Sequence, residues 1–237
     1  MTAFGHPHLH LRLTDSTNDR ARALAEDGAP NGTVITAAEQ SAGRGRRGRV
    51  WSAPSGGALL YSAILRPLGR EHALLPLAVP VAICEAVESL APVACQIKWP
   101  NDVWIEERKV AGVLIEARPP EWAVIGIGVN VAIADGEFAG DLRWPATSVG
   151  HGATVEAMRD AVSASLGEWV HAAERRILAA FGERDALTGR RVSWEGGSVN
   201  SGTGAAVGAD ERGNLVVEAE GGERLSLGSG EVQLRLG

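Results

Sequence analysis

The 237-residue chain has little of several things, and each scarcity excludes something. Two cysteines, Cys84 and Cys95, are too few for a disulfide scaffold or a cysteine zinc site. No stretch approaches the roughly 20 uninterrupted apolar residues of a membrane helix. Residues 1–13 lack a basic end followed by an apolar run, so no secretory signal is read there and the expected compartment is the cytoplasm. Positive charge is not in excess: the formal net charge is −6, which argues against bulk nucleic-acid binding through a basic surface. Lysine is the scarcest cation. Of 23 basic residues, two are lysines, Lys98 and Lys109, leaving 21 arginines. A coding bias towards Arg, Ala, Gly and Val explains most of this. A lysine kept under such a bias marks a place where a compact ammonium serves and a planar fork does not. Both fall within one 12-residue stretch.

What is present reads as a soluble globular chain, 45% hydrophobic and 22% charged, long enough for one large or two smaller domains. Leu9, Leu11 and Leu13 alternate and predict a strand over 8–14. His6, His8 and His10 share its other face, where a terminal segment offers no second layer to support a metal. Ser16-Thr17-Asn18-Asp19 has capping-box form and predicts a helix over 17–27 that stops at Gly28. Strands are expected at 33–38 and 59–65, with a loop over 39–57. A buried helix is expected over 74–90, its regular start pushed towards Pro80. Strands follow at 93–98, 103–106, 110–116 and 122–131, with a hairpin turn at 106–109. One helix is predicted over 155–181 from its apolar spacing. Strands and helices mix without regular βαβ alternation, so the class is α+β. From Leu187 the texture changes to short β runs at 190–194, 205–208, 215–218, 223–227 and 232–236. These predict a small antiparallel barrel. The expected division is 1–185 and 186–237.

Residues 43–48, Gly-Arg-Gly-Arg-Arg-Gly, match G-x-G-x-x-G. A dinucleotide fold needs a strand before this loop and a helix after it. Polar 39–42 precede it, and Val50-Trp51-Ser52-Ala53-Pro54-Ser55-Gly56-Gly57 cannot open a helix. The kinase pattern fails too, since neither His-Arg-Asp nor Asp-Phe-Gly occurs in the chain. The arginines are then the content. Arg44, Arg46, Arg47 and Arg49 place four charges in six residues. They repel each other when empty and would order around a polyanion such as a triphosphate.

In the lysine segment, Lys98-Trp99-Pro100-Asn101-Asp102 presents an amide and a carboxylate at a strand end, suited to a nucleotide or a hydrated Mg²⁺. Lys109 opens a strand that runs through Gly112, where a ligand can approach the backbone. A lysine there can stabilise charge that builds when a carboxylate attacks a phosphate. In Gly126-Ile127-Gly128-Val129-Asn130-Val131, small residues beside an asparagine suit either a planar ligand or close strand packing.

Taken in order, Asp15-Ser16-Thr17-Asn18, residues 38–51, residues 98–102, Arg108-Lys109-Val110-Ala111-Gly112 and Gly126-Ile127-Gly128-Val129-Asn130 resemble the motifs of biotin–protein ligases. The resemblance covers about residues 10–180, and the terminal β segment is similar to that family's small SH3-like domain. It implies a mixed-sheet catalytic domain that binds biotin and ATP, and a reaction through biotinyl-5′-AMP with release of pyrophosphate. Biotin then passes to a lysine of a biotin carboxyl carrier protein, as in acetyl-CoA carboxylase. It implies that Ser16, Thr17, Asn18 and Gln40 hold biotin with backbone around Gly112. Arg44, Gly45 and Arg46 would close over carboxylate and phosphates, and Lys109 would touch both. Arg47, Arg49, Trp51, Lys98, Asn101 and Asn130 would serve the ATP end. Asp102 would assist Mg²⁺ or the incoming lysine. About 14 residues precede the Ser-Thr-Asn motif, so the family's DNA-binding repressor domain and operator binding are not expected.

Two alternatives remain at this stage. Lipoate–protein ligases share the fold and reaction type, but their Arg-Arg-x-Ser-Gly-Gly-Gly type loop is missing here. A nucleotide- or RNA-binding protein would use the arginine loop and show salt-sensitive binding. A monomer or weak homodimer is expected, with no membrane partner. The terminal barrel would either dock the carrier or close over ATP. So few lysines also leave few acceptors for the chain's own reactive adenylate.

Overall fold

In the computed structural model, which describes residues 4–138, 144–195, 201–229 and 233–236, the strands gather into two sheets. The first contains β1 (His8–Leu11), β2 (Val34–Ala37), β3 (Ala58–Leu65), β4 (Cys95–Lys98), β5 (Asp102–Ile105), β6 (Arg108–Arg118) and β7 (Trp122–Asn130), in the order β1-β2-β3-β7-β6-β5-β4. The β1–β2 pair is parallel and the others are antiparallel, which is the mixed sheet of the expected α+β class. Every residue of β3 is buried.

One face is covered only in part. Helix α1 (Thr17–Glu26) sets Ala21 and Ala25 against Ile35, Ile64 and Val124. Beyond its first turn the same face is left open, and there most of the candidate site residues gather. The other face packs against α2 (Leu75–Leu90), α3 (Val155–Trp169) and α4 (Glu174–Gly182). Helix α2 starts in its first turn with Pro76 and runs through Pro80 instead of starting at it. Pro80 forfeits one backbone bond, which costs on the order of 3 kcal/mol. Eleven buried residues of an almost wholly apolar helix outweigh that.

The single helix expected over 155–181 is two. Helix α3 ends at Trp169, whose Nε1 donates to Glu85 Oε2 at 2.6 Å, and α4 restarts after Ala173. Both pack on α2. A straight helix over that span would be about 40 Å long and would overshoot the roughly 24 Å of α2, so the break keeps both apolar faces on one support.

The second sheet contains β8 (Arg191–Glu195), β9 (Gly202–Ala209), β10 (Leu215–Ala219), β11 (Arg224–Leu227) and β12 (Gln233–Leu236), all antiparallel, in the order β11-β10-β9-β8-β12. Among the described residues β11 and β12 do not pair, so the expected barrel is an open sheet. Strand spacing fixes which neighbours pair, while closure also depends on tilt and stagger. Val232, the expected start of the last strand, lies outside the described residues. The two sheets share one apolar core: Val192, Trp194, Leu215 and Val217 belong to the same cluster as Leu74 and Leu77 of α2. Trp99 Nε1 donates to the Gly213 carbonyl at 3.0 Å, and Ile97 N donates to the Arg184 carbonyl at 2.7 Å.

At the amino terminus, His8 Nε2 and His10 Nδ1 both lie within hydrogen-bond reach of Thr36 Oγ1, at 2.8 and 2.9 Å. They tie β1 to β2. Cys84 and Cys95 are buried free thiols, and burial pushes the Cys84 thiol well up. No helix among the described residues is long and apolar enough to cross a membrane.

Candidate active site

On the partly covered sheet face lies a cavity of about 790 Å³, within the range of small-molecule sites. Its floor is made by glycines. Gly112 on β6 pairs with Gly128 on β7, and Gly126 lies one pleat away on the same face.

One end is a network of neutral polar groups at the start of α1. Ser16 occupies the N-cap position but its side chain makes no cap bond, so the capping box read from the sequence is not formed. Asp19 turns instead to Arg22 and Arg44, each at 2.8 Å. The cap comes from a distant residue: Gln40 Oε1 accepts from Thr17 N at 2.7 Å and from Thr17 Oγ1 at 3.1 Å. Beneath them, the wholly buried Ser62 hydroxyl lies 2.8 Å from Thr17 Oγ1 and 2.7 Å from Asn18 Oδ1. Asn18 Nδ2 donates to Glu116 Oε2 at 3.0 Å. Gly126 is required here, since an added Cβ would sit 2.0 Å from Asn18 Oδ1. Beside the network, the Asp15 carboxyl is held below the usual carboxylate range by the Ser16 amide and the Thr14 hydroxyl.

The glycine–arginine loop forms one wall. It is a small hairpin, with Trp51 N donating to the Gly43 carbonyl at 3.0 Å and Gly45 N to the Arg49 carbonyl at 2.7 Å. A side chain at Gly43 would meet the Trp51 carbonyl at 2.3 Å, so the strands of the hairpin close only on glycine. At its tip Arg47 adopts φ 58°. Arg44 pairs with Asp19 at 2.8 Å and Glu116 at 2.9 Å. Arg46 reaches Asn101 Oδ1 at 3.5 Å and donates to the Ser229 carbonyl beside the second sheet. Burial, then the nearby Arg47 and Arg49, push its pKa down. Arg49 lines the cavity, whereas Arg47 is exposed outside it.

Lys109 stands where the two ends meet. It lines the cavity, and its Nζ lies 2.6 Å from Asp102 Oδ1 and 5.5 Å from the centre of the Trp51 indole. The β5–β6 turn that places it has Glu106 and Glu107 at φ 50° and 62°, as a two-residue hairpin turn requires. Asp102 sits behind Lys109, buried and outside the lining. Its carboxylate is engaged by the ammonium, and among the described residues no group of three His, Cys, Asp or Glu side chains forms a metal site. Asp102 thus offers a single carboxylate, the kind of ligand a hydrated Mg²⁺ takes, rather than part of a protein cage.

The far end is aromatic. The Trp51 indole lies over the sheet glycines: a Cβ at Gly128 would be 2.4 Å from Trp51 Cε2, and one at Gly112 would be 3.1 Å from Cζ3. The close packing that these glycines allow is thus with a tryptophan of the same chain. Asn101 Nδ2 donates to the Val113 carbonyl at 3.1 Å and Asn130 Nδ2 to the Thr147 carbonyl at 3.1 Å. Both residues line the cavity, and Lys98 does not. Phe138 and Trp144 complete this end. Sequence reasoning missed them, and Ser62 as well.

The Biotin/lipoate A/B protein ligase family profile matches residues 10–130, and the Biotin protein ligase C terminal domain profile matches residues 188–235. A "Bifunctional ligase/repressor BirA" of Bacillus spizizenii is 32% identical over 245 residues, covering 92% of this chain and 71% of that protein. A "Biotin--[acetyl-CoA-carboxylase] ligase" of Paracoccus denitrificans is 31% identical over 234 residues, covering 91% of this chain and 95% of that protein. Among solved structures, a biotin protein ligase from Aquifex aeolicus in complex with biotin and ATP superposes with a TM-score of 0.82 at 28% identity, covering 98% of this chain and 100% of that one. With a family profile over more than half its length and relatives matched along most of it, the chain belongs to the biotin/lipoate A/B protein ligase family.

Proposed function

We propose that the chain is an ATP-dependent biotin–protein ligase. One observation carries the reading: a single cavity joins a preset network of neutral polar groups to a lysine and an arginine hairpin. The first suits an uncharged ureido ring, and the second suits a carboxylate meeting a triphosphate. Ser16, Thr17, Asn18 and Gln40 hold the ring, with backbone around Gly112. A carboxylate oxygen of biotin then attacks the α-phosphorus and pyrophosphate leaves, giving biotinyl-5′-AMP. Lys109 and the guanidinium groups of Arg44, Arg46 and Arg49 neutralise charge at the crowded phosphorus. Trp51, Asn101 and Asn130 serve the nucleotide end, with Arg47 at its outer rim. Asp102 orients Lys109. Any Mg²⁺ arrives with the nucleotide.

In the second step an acceptor lysine of a biotin carboxyl carrier protein attacks the acyl carbonyl and AMP leaves. Water must be excluded until then, because the mixed anhydride hydrolyses. The hairpin is the part placed to cover it. A supply of ATP and of newly made carrier makes the cytoplasm the compartment of this reaction.

Melting temperature tests the reading. Biotin plus ATP should raise it, since a ligand held only by the native state stabilises by mass action. Lipoate plus ATP should not, and biotin-dependent pyrophosphate release should accompany the shift. Stabilisation by lipoate instead, or by RNA alone in a salt-sensitive manner, would refute the assignment.

A further inference from the structure

Lys98 is 6% exposed and ends β4. It does not line the cavity, yet its Nζ lies 4.7 Å from the centre of the Trp144 indole and 5.7 Å from that of Trp104. The two rings are 5.8 Å apart and tilted by 52°. Trp104 is fully buried, whereas Trp144 turns towards the cavity and forms part of its aromatic end. The ammonium therefore sits in the angle between a fixed ring and a ring that walls the site.

We infer that Lys98 is a positioning residue for the nucleotide base, acting through Trp144. This rests on the ATP-dependent reading above. A purine is the flat, apolar part of ATP, and it gains most from an aromatic wall held at a set angle. A point charge can face two tilted indoles at once. A guanidinium stacks flat on one ring and cannot do so with both. That accounts for lysine at this position in a chain otherwise so rich in arginine. Lys109, the other lysine, faces a single indole of the cavity, with its Nζ 5.5 Å from the centre of Trp51.

The test is steady-state pyrophosphate release with biotin saturating and ATP varied, beside the Kd for biotin alone. Lys98→Met should raise KM for ATP between about 2-fold and 30-fold, the range a cation–π contact supplies. The Kd for biotin and kcat should stay within about 2-fold, and Lys98→Arg should recover part of the loss. Trp144→Leu should raise KM for ATP as well, and adding Lys98→Met to it should do nothing further. Unchanged KM, an equal loss of biotin affinity, or effects that multiply in the double variant would each overturn the inference. If Lys98→Met does not fold, the same cycle run with Lys98→Arg and Trp144→Leu decides it. A parent chain that releases no pyrophosphate with biotin overturns the reaction itself. A parent that does, while Lys98→Met keeps its KM, overturns this inference alone.

Discussion

The two ends of the cavity are built on opposite plans. At the α1 end the polar groups already have protein partners: Gln40 caps Thr17, Ser62 ties Thr17 to Asn18, and Asn18 reaches Glu116. At the hairpin end the charges are held by stand-ins. Arg44 rests on Asp19 and Glu116, and Arg46 on the Ser229 carbonyl. The buried Trp51 Nε1 has no partner among the described residues. The first end is preorganised, so little ordering opposes binding there. On the proposed function the second would exchange partners when an anion arrives, with its closure conditional on that anion. Affinity for the ring would then be a property of the fold, while the rate would depend on a rearrangement.

The largest effect is expected where the ends meet. Lys109→Gln should lower biotin-dependent pyrophosphate release at least about 100-fold, the scale of losing one preset charge stabiliser. The glutamine amide can still donate to Asp102, so the buried carboxylate is not left alone. The Kd for biotin should move far less. Near-normal release would remove Lys109 from the chemistry.

The glycine floor separates the two plans directly. Gly126→Ala drives a methyl into Asn18, which is locked from three sides, so overpacking of about 1–3 kcal/mol has no relief. We expect a lower Tm and biotin Kd raised on the order of 10-fold. The three atoms nearest to a methyl at Gly128 all belong to the Trp51 ring, and that ring is carried by the hairpin. The Tm of Gly128→Ala should hardly change, with the effect appearing in KM for ATP. Equal losses of Tm in both variants would erase the proposed difference between a rigid end and a movable one.

Arg46→Gly sharpens the same contrast with a smaller effect. It should leave the Kd for biotin near that of the parent and let biotinyl-5′-AMP escape several-fold faster, followed as free adenylate after rapid quenching. Equal escape from variant and parent would show that the hairpin does not retain the intermediate.

The sequence disclosed the two plans unequally. Helix α1, the β5–β6 hairpin and the central strands carry local signals: apolar period, turn position and ordered motifs. What it hid depends on distant partners. The break at 170–173 exists because α3 and α4 share α2 as a support. Pro80 is tolerated because both sides of its helix are buried. Ser62 looked like a stray hydroxyl in an apolar strand, and only the approach of α1 gives it two partners. Trp144 follows no motif. It reaches the cavity because Lys109 N bonds the Pro145 carbonyl at 2.7 Å, a pairing that no local pattern announces. The capping box failed for a related reason, since Asp19 found a better partner in an arginine of the hairpin.

That last contact gives the smallest expected effect. Arg44 is 38% exposed, and its partners Asp19 and Glu116 are 30% and 22% exposed. Burial alone would lower its pKa, but Glu116 and then Asp19 outweigh it and raise the value, so the guanidinium stays charged. Ion pairs this open to water are screened and contribute below about 1 kcal/mol each. Arg44→Ala should therefore lower Tm only slightly, and the difference from the parent should shrink in 1 M salt, where screening acts within about 3 Å. Ser62→Ala supplies the contrast. It removes a wholly buried donor and leaves Asn18 Oδ1 without it, so about 1–3 kcal/mol is lost whatever the salt. A salt-insensitive Arg44→Ala of that same size would mean that the hairpin is fixed as firmly as the α1 end, and the two halves of the cavity would then work by one plan.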